Sequence, residues 1–176
     1  MQNICYKIDP TLKYRGTLEP SSVGVYQVER DGNFYVLKIA IDEWDRNHLA
    51  HERKILLRCE DVSGITHLVQ SYQQPHRKPV ALLKEYMEGN DLSENHSKIP
   101  RESIDEIRTS LEDTVRELHA KRIANLELFP RNIVVSPDYS STKIIDLGTA
   151  HRFSRREDAQ LRRRIVDDLE DFDYLF

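Results

Sequence analysis

A chain of 176 residues with a net charge of −4, 32% charged and 39% hydrophobic residues, is long enough to bury one core and is ordinary in its balance for a globular protein. The mild acidity argues against a chain-wide nucleic-acid or membrane surface, and no apolar run is long enough to span a bilayer. Two cysteines, Cys5 and Cys59, without a C-x-x-C spacing argue against a disulfide framework or zinc ribbon; with a start, MQNICYKIDP, that lacks the apolar run of a signal peptide, they point to an intracellular location, cytoplasmic or nuclear.

In chain order, Val25-Tyr26-Gln27-Val28 and Phe34 to Ile41 read as a hairpin turned at Asp31-Gly32-Asn33. The second of these strands is apolar on both faces except for Lys38. A helix follows over residues 44–59, with Leu49, Glu52, Ile55, Leu56 and Cys59 on one face. Ile65 to Tyr72 and Val80 to Met87 read as two further strands, with Pro75 and Pro79 bounding the loop between them, and Gly89-Asn90-Asp91 breaks the pattern. A long helix is expected over roughly 103–121, begun by a capping box of Ser103 and Glu106 and carrying the stripe Ile104, Ile107, Leu111, Val115 and Leu118. Two short strands, Ile133-Val134-Val135 and Lys143-Ile144-Ile145, come next, joined by the turn SPDYSST.

The last segment holds six arginines from Arg152 to Arg164 and five acids from Asp167 to Asp173. A single helix in that order would oppose its own macrodipole. A break is therefore expected, with Asp167 or Asp168 capping a final helix whose apolar residues are Leu169, Phe172, Leu175 and Phe176. The arginine run reads as a solvated face, with an acidic partner as the alternative.

Four polar residues stand out. A lysine in an apolar strand is commonly an edge residue whose stem snorkels, but Lys38 is matched by Glu52, a carboxylate on an apolar helix face that needs a cation near it. Asp146, after two isoleucines and before Leu-Gly, fits a simple turn, and Asn132 could stabilise a loop. Glu127 sits five residues before Asn132, the separation of a carboxylate and an amide around a phosphoryl-transfer loop. His48-x-x-His51 could bind a metal, but solvated histidines account for it as well.

Taken in order, these elements resemble the protein-kinase-like superfamily over residues 13–176. YVLKIA looks like the strand carrying the phosphate-binding lysine, here Lys38. HERKILL looks like the helix whose glutamate, Glu52, pairs with it, and LLKEYMEGNDL like the hinge, where Glu85 and Met87 would offer backbone groups to adenine. LHAKRIANLELFPRNIVV is similar to the end of the long helix and the catalytic loop, KIIDLGTA to the D-F-G segment, and RRRIVDDLEDFDYLF to the helix whose buried aspartate braces that loop, best matched by casein-kinase-type sequences. The resemblance implies an α+β, two-lobed kinase-like fold. Its N-lobe and hinge, a small antiparallel sheet plus a helix, would occupy residues 1–87; its C-lobe, truncated and mainly helical, would occupy 88–176. It also implies ATP and Mg²⁺ as weakly held ligands. Lys38 and Glu52 would orient the phosphates, Val36 and Val134 line the base slot, Asn132 and Asp146 hold the metal, and Glu127 accept the substrate proton, with Lys38 and Asp146 completing the catalytic set.

The departures from the family pattern are as informative. H-R-D reads Asn125-Leu126-Glu127, which keeps a carboxylate but lengthens it by one methylene. The lysine two residues after the base is Phe129. The glycine-rich loop, GTLEPSSVGVYQV, keeps Gly24 at best. Val36 stands where alanine is usual, and Lys84 occupies the gatekeeper position, where its amine must reach an acid or water. After Gly148 the sequence runs only to Phe176, without an A-P-E segment or substrate-docking helices. Three functions follow: a pseudokinase acting as a nucleotide-binding or regulatory module, an atypical active kinase using Glu127 on a protein or small molecule, or a structural partner protein with a collapsed pocket. The apolar stripe Leu169, Phe172, Leu175 and Phe176 is the expected contact for a partner or a second copy.

Overall fold

In the computed structural model, which describes residues 2–20, 24–73, 80–95 and 99–176, the hairpin around Asp31-Gly32 is the centre of a five-stranded sheet. Asp31 and Gly32 both take positive φ (53° and 82°), which lets the chain reverse in two residues between β2 (Gly24–Arg30) and β3 (Asn33–Ile39). The sheet is antiparallel throughout. It is completed by β1 (Lys13–Pro20), β4 (Leu68–Tyr72) and β5 (Ala81–Glu85), in the order β1-β2-β3-β5-β4. Part of the expected glycine-rich loop, residues 21–23, and the proline-bounded loop at Pro75 and Pro79 lie outside the described residues.

The two faces of this sheet are chemically different. Tyr26, Val28, Leu37, Ile39, Ala81 and Leu83 bury one face against Cys5 and Leu12 beside the N-terminal helix α1 (Gln2–Ile8). By strand alternation the other face presents Lys38 and Lys84. Helix α2 (Glu43–Leu56) starts on a capping box in which Asp45 N–H donates to Asp42 Oδ1 (2.8 Å) while the Asp45 carboxylate accepts from Asp42 N–H. It buries Leu49, Glu52, Ile55 and Leu56. The helix ends at Leu56 and does not reach Cys59. Leu57 caps it, and Cys59 O accepts from Val62 N–H (2.9 Å) in the turn that follows, so Cys59 is buried after the chain has already left the helix.

The chain divides into two units, Met1–Leu57 with His67–Tyr86, and Arg58–Thr66 with Met87–Phe176. The apolar run 65–72 is therefore not one strand. Ile65 bridges Ile144 in parallel and Thr66 N–H donates to Ile144 O (3.1 Å), whereas strand β4 begins only at Leu68.

In the second unit, α4 (Arg101–Ala120) buries Ile107, Leu111, Thr114, Val115 and Leu118, with Ile104 only partly covered. It starts two residues earlier than the sequence suggests. Pro100 O takes the first bond, from Ser103 N–H (2.9 Å), so Ser103 lies inside the first turn and forms no capping box. Gly64 packs directly on this helix: a Cβ there would meet Thr114 Oγ1 at 1.8 Å.

Short strands surround the helix. β6 (Asn90–Asp91), β8 (Ile133–Val135) and β9 (Thr142–Ile144) form one sheet, with the short helix α3 (Leu92–Asn95) after β6. β7 (Ile123–Ala124) pairs with β10 (His151–Arg152). The final helix α5 runs unbroken over Asp158–Asp173, behind a capping box in which the Glu157 carboxylate accepts from Ser154 N–H (2.7 Å). The expected break at Asp167 or Asp168 does not occur. Asp167 pairs with Arg164 (3.0 Å), and Asp168 is buried and accepts hydrogen bonds from another loop rather than from its own helix. A dipole penalty of a few tenths to one kcal/mol per charge is smaller than the cost of stranding that buried carboxylate. No helix among the described residues is long and apolar enough to cross a membrane.

Candidate active site

In the first unit, strand register positions the candidate phosphate-binding lysine. Val36 lies opposite Lys84, and Lys38 opposite Leu82, across β3 and β5, which puts the two lysines diagonally on one face of the sheet. Glu52 comes from the buried face of α2. Lys38 Nζ lies 3.1 Å from Glu52 Oε2 and 3.3 Å from Oε1. Lys84 Nζ lies 2.6 Å from Glu52 Oε1. One buried carboxylate thus serves two lysines. The Lys38–Glu52 contact could be argued from the sequence, whereas the partner of Lys84 could not, because it depends on the register between strands 46 residues apart at Lys38 and Lys84. Val36 is half-buried beside them. Glu85 is half-buried, with His67 Nδ1 3.1 Å from its Oε2, and its N–H donates to His67 O (2.9 Å).

The second unit holds the loop. Arg122, Asn125 and Glu127 all take positive φ (63°, 65° and 49°), a backbone that side-chain-bearing residues adopt only when their surroundings enforce it. Around Asn125 and Glu127 the backbone is braced by Asp168. Its carboxylate accepts from Leu126 N–H (2.7 Å) and Asn125 N–H (3.0 Å), and lies 2.9 Å from His119 Nε2. Asn125 Nδ2 donates to Thr149 O (3.0 Å), tying the loop to the DLGTA segment, while Leu126 and Leu128 are buried as anchors. Between these two leucines, Glu127 is half-buried, and its carboxylate makes no hydrogen bond or ion pair among the described residues.

The β8–β9 hairpin brings the two metal-site candidates together. Ile133 pairs with Ile144, and just beyond them Ile145 N–H donates to Asn132 O (2.9 Å), so Asn132 and Asp146 flank the open end of the ribbon. Asn132 Nδ2 donates to Glu127 O (3.0 Å), which orients its amide so that Oδ1 is the group left to coordinate. Asp146 Oδ1 accepts from Gly148 N–H (2.9 Å). An amide oxygen and a carboxylate are hard donors of the kind Mg²⁺ takes, so this pair fits the ion. Val134 is buried in β8, and Met87, half-buried, opens the second unit. One residue was missed: the Arg131 guanidinium lies 4.7 Å from the centre of the Phe129 ring, so a cation stands two positions beyond the place where lysine is absent. The signal is present in the sequence as FPRN.

A family model, protein kinase domain, matches residues 21–167. The chain belongs to that family. The kinase fold is equally visible in solved structures. The autoinhibited serine kinase domain of the giant muscle protein titin matches with a TM-score of 0.69 at 19% identity, over 82% of this chain and 47% of that one. The kinase PK-1 of Cydia pomonella granulovirus matches with a TM-score of 0.69 at 15% identity, over 85% of this chain and 56% of that one. The chain thus spans about half the length of these kinase structures. No curated protein matches it.

Proposed function

We propose that this kinase-fold chain is a Mg²⁺–nucleotide-binding module with little phosphoryl transfer, a pseudokinase in regulatory use. The observation that carries the binding half is the Ile145–Asn132 backbone bond, which supports an amide and a carboxylate lying near one end of the β8–β9 ribbon. Lys38, held by Glu52, would take the α- and β-phosphates, with Val36 and Glu85 of the same unit toward the base. Mg²⁺, when bound, would neutralise charge on the phosphate oxygens. The transfer half is weak because Phe129 stands in place of a cation, Glu127 carries one methylene too many, and a displacement of about 1 Å can cost on the order of 10²-fold. Losing one electrostatic contact typically costs about 3 kcal/mol, so two such losses lower the rate about 10⁴-fold.

A second reading, an atypical active kinase, is favoured by two observations: the Glu127 carboxylate has no partner among the described residues, and Arg131 lies over Phe129. Incubation with γ-labelled ATP and Mg²⁺ separates the two. The pseudokinase reading expects no label above the Asp146→Ala background, on the chain itself or on generic protein substrates. Robust labelling that disappears in both Asp146→Ala and Glu127→Ala would overturn it and establish Glu127 as a working base. Failure to bind nucleotide at all would leave the third function, a structural partner protein.

A further inference from the structure

Lys84 is the least expected residue in the first unit. It sits in β5, a strand flanked on both sides, with Val36 opposite on β3 and Leu68 opposite on β4, and it is 2% exposed. Its stem has no route to solvent along this surface, so its ammonium must meet an acid. That acid is Glu52, at 2.6 Å, the same carboxylate that holds Lys38. Lys84 also takes the shorter contact of the two.

We propose that Lys84 is a positioning residue, a second counter-ion that keeps Glu52 and helix α2 on the sheet while the Lys38 ammonium turns to an anionic ligand. With a single lysine, an incoming phosphate competes with Glu52 for the same ammonium. With two, Glu52 stays ion-paired to Lys84 whatever Lys38 does. The ligand half rests on the nucleotide-binding reading; the counter-ion half does not.

A stability cycle tests the counter-ion half in the full chain without any ligand. Lys38→Met and Lys84→Met each leave Glu52 with one partner and should shift Tm by no more than about 3 °C. The double variant orphans a buried carboxylate and should lose about 10 °C, far beyond the sum of the two. Adding Glu52→Met to the double variant should restore most of that loss, because the carboxylate and not the packing is at fault. A Lys38→Met variant that alone falls as far as the double variant overturns the proposal, as does a strictly additive pair. The ligand half is read at a temperature where Lys84→Met is folded: its affinity for Mg²⁺–ATP should drop about tenfold, with recovery in Lys84→Arg. Lysine side-chain ¹⁵N spectra should show ATP moving the Lys38 ammonium signal and leaving that of Lys84 in place. Unchanged affinity in Lys84→Met, or displacement of the Lys84 signal alone, contradicts this half. A wild-type chain that binds no ATP overturns the nucleotide reading and the ligand half together, while the stability cycle still decides the role of Lys84.

Discussion

Glu127 shows at the scale of one residue how an inherited site can be read as physics. Its φ of 49° places a glutamate in the left-handed region, which costs on the order of 1 kcal/mol for a residue of this type and is held in place by the Asp168 bonds to the two preceding amides. Strain of this kind belongs to sites where a side chain must be aimed, so the position is expected to be suboptimal for stability. Glu127→Asn, which tolerates that backbone, should stabilise the chain by roughly 0.5–1 kcal/mol in urea unfolding; a clear loss of stability would mean that the glutamate side chain supports the fold. The residue-level signals that the sequence displayed were of this local kind: a carboxylate five residues before an amide, a lysine in an apolar strand, a glutamate on an apolar helix face. The partner of Lys84 was not legible. Its chemistry is fixed by which strand lies beside β5, and nothing local to ALLKE encodes that.

At the scale of elements, α5 and the β8–β9 ribbon hold the loop from opposite sides of the second unit's sequence. Removing the Asp168 carboxylate by Asp168→Ala strands two backbone N–H groups, and should cost about 2–4 kcal/mol by denaturant unfolding, with Asp168→Asn retaining part of it. A loss below about 0.5 kcal/mol would show that the loop is braced otherwise. In the ribbon, the Asp138 carboxylate accepts from Ser136 Oγ (2.6 Å), Ser140 N–H and Ser140 Oγ, and these bonds hold its pKa down to about 2 from an ordinary 3.8. A depressed pKa contributes stability above the unfolded value. The contribution of this turn is therefore intact above about pH 4 and lost as pH falls toward 2, and Asp138→Asn should flatten that acid limb; an unchanged acid profile would contradict the assignment. The failed expectations also belong to this scale. The Ser103 capping box and the break at Asp167 or Asp168 were local rules overruled by Pro100 O and by the demand of Asn125 and Leu126 for an acceptor. The pairing of Ile123–Ala124 with His151–Arg152 involves only two residues a side, too few to leave a period in the sequence.

For the whole molecule, the stripe expected as a contact is mostly covered: Phe172 and Leu175 are buried and Phe176 is half-buried, and only Leu169 is exposed, beside the exposed Val166 on α5 and Tyr174 just beyond it. Self-association through this surface is a proposal motivated by that exposure. It predicts that the wild-type chain sediments with a concentration-dependent mass and that Leu169→Glu sediments as a monomer of unchanged stability; identical monomers at all concentrations would sink it. The central claim concerns the ligand, and a thermal-shift titration with ATP, with and without Mg²⁺, tests it most directly. The account predicts a Mg²⁺-dependent rise in Tm that saturates in the micromolar range or above, is abolished in Asp146→Ala and survives in Glu127→Ala. No shift at any ATP concentration, or the same Mg²⁺-dependent shift in Asp146→Ala as in the wild type, would contradict it.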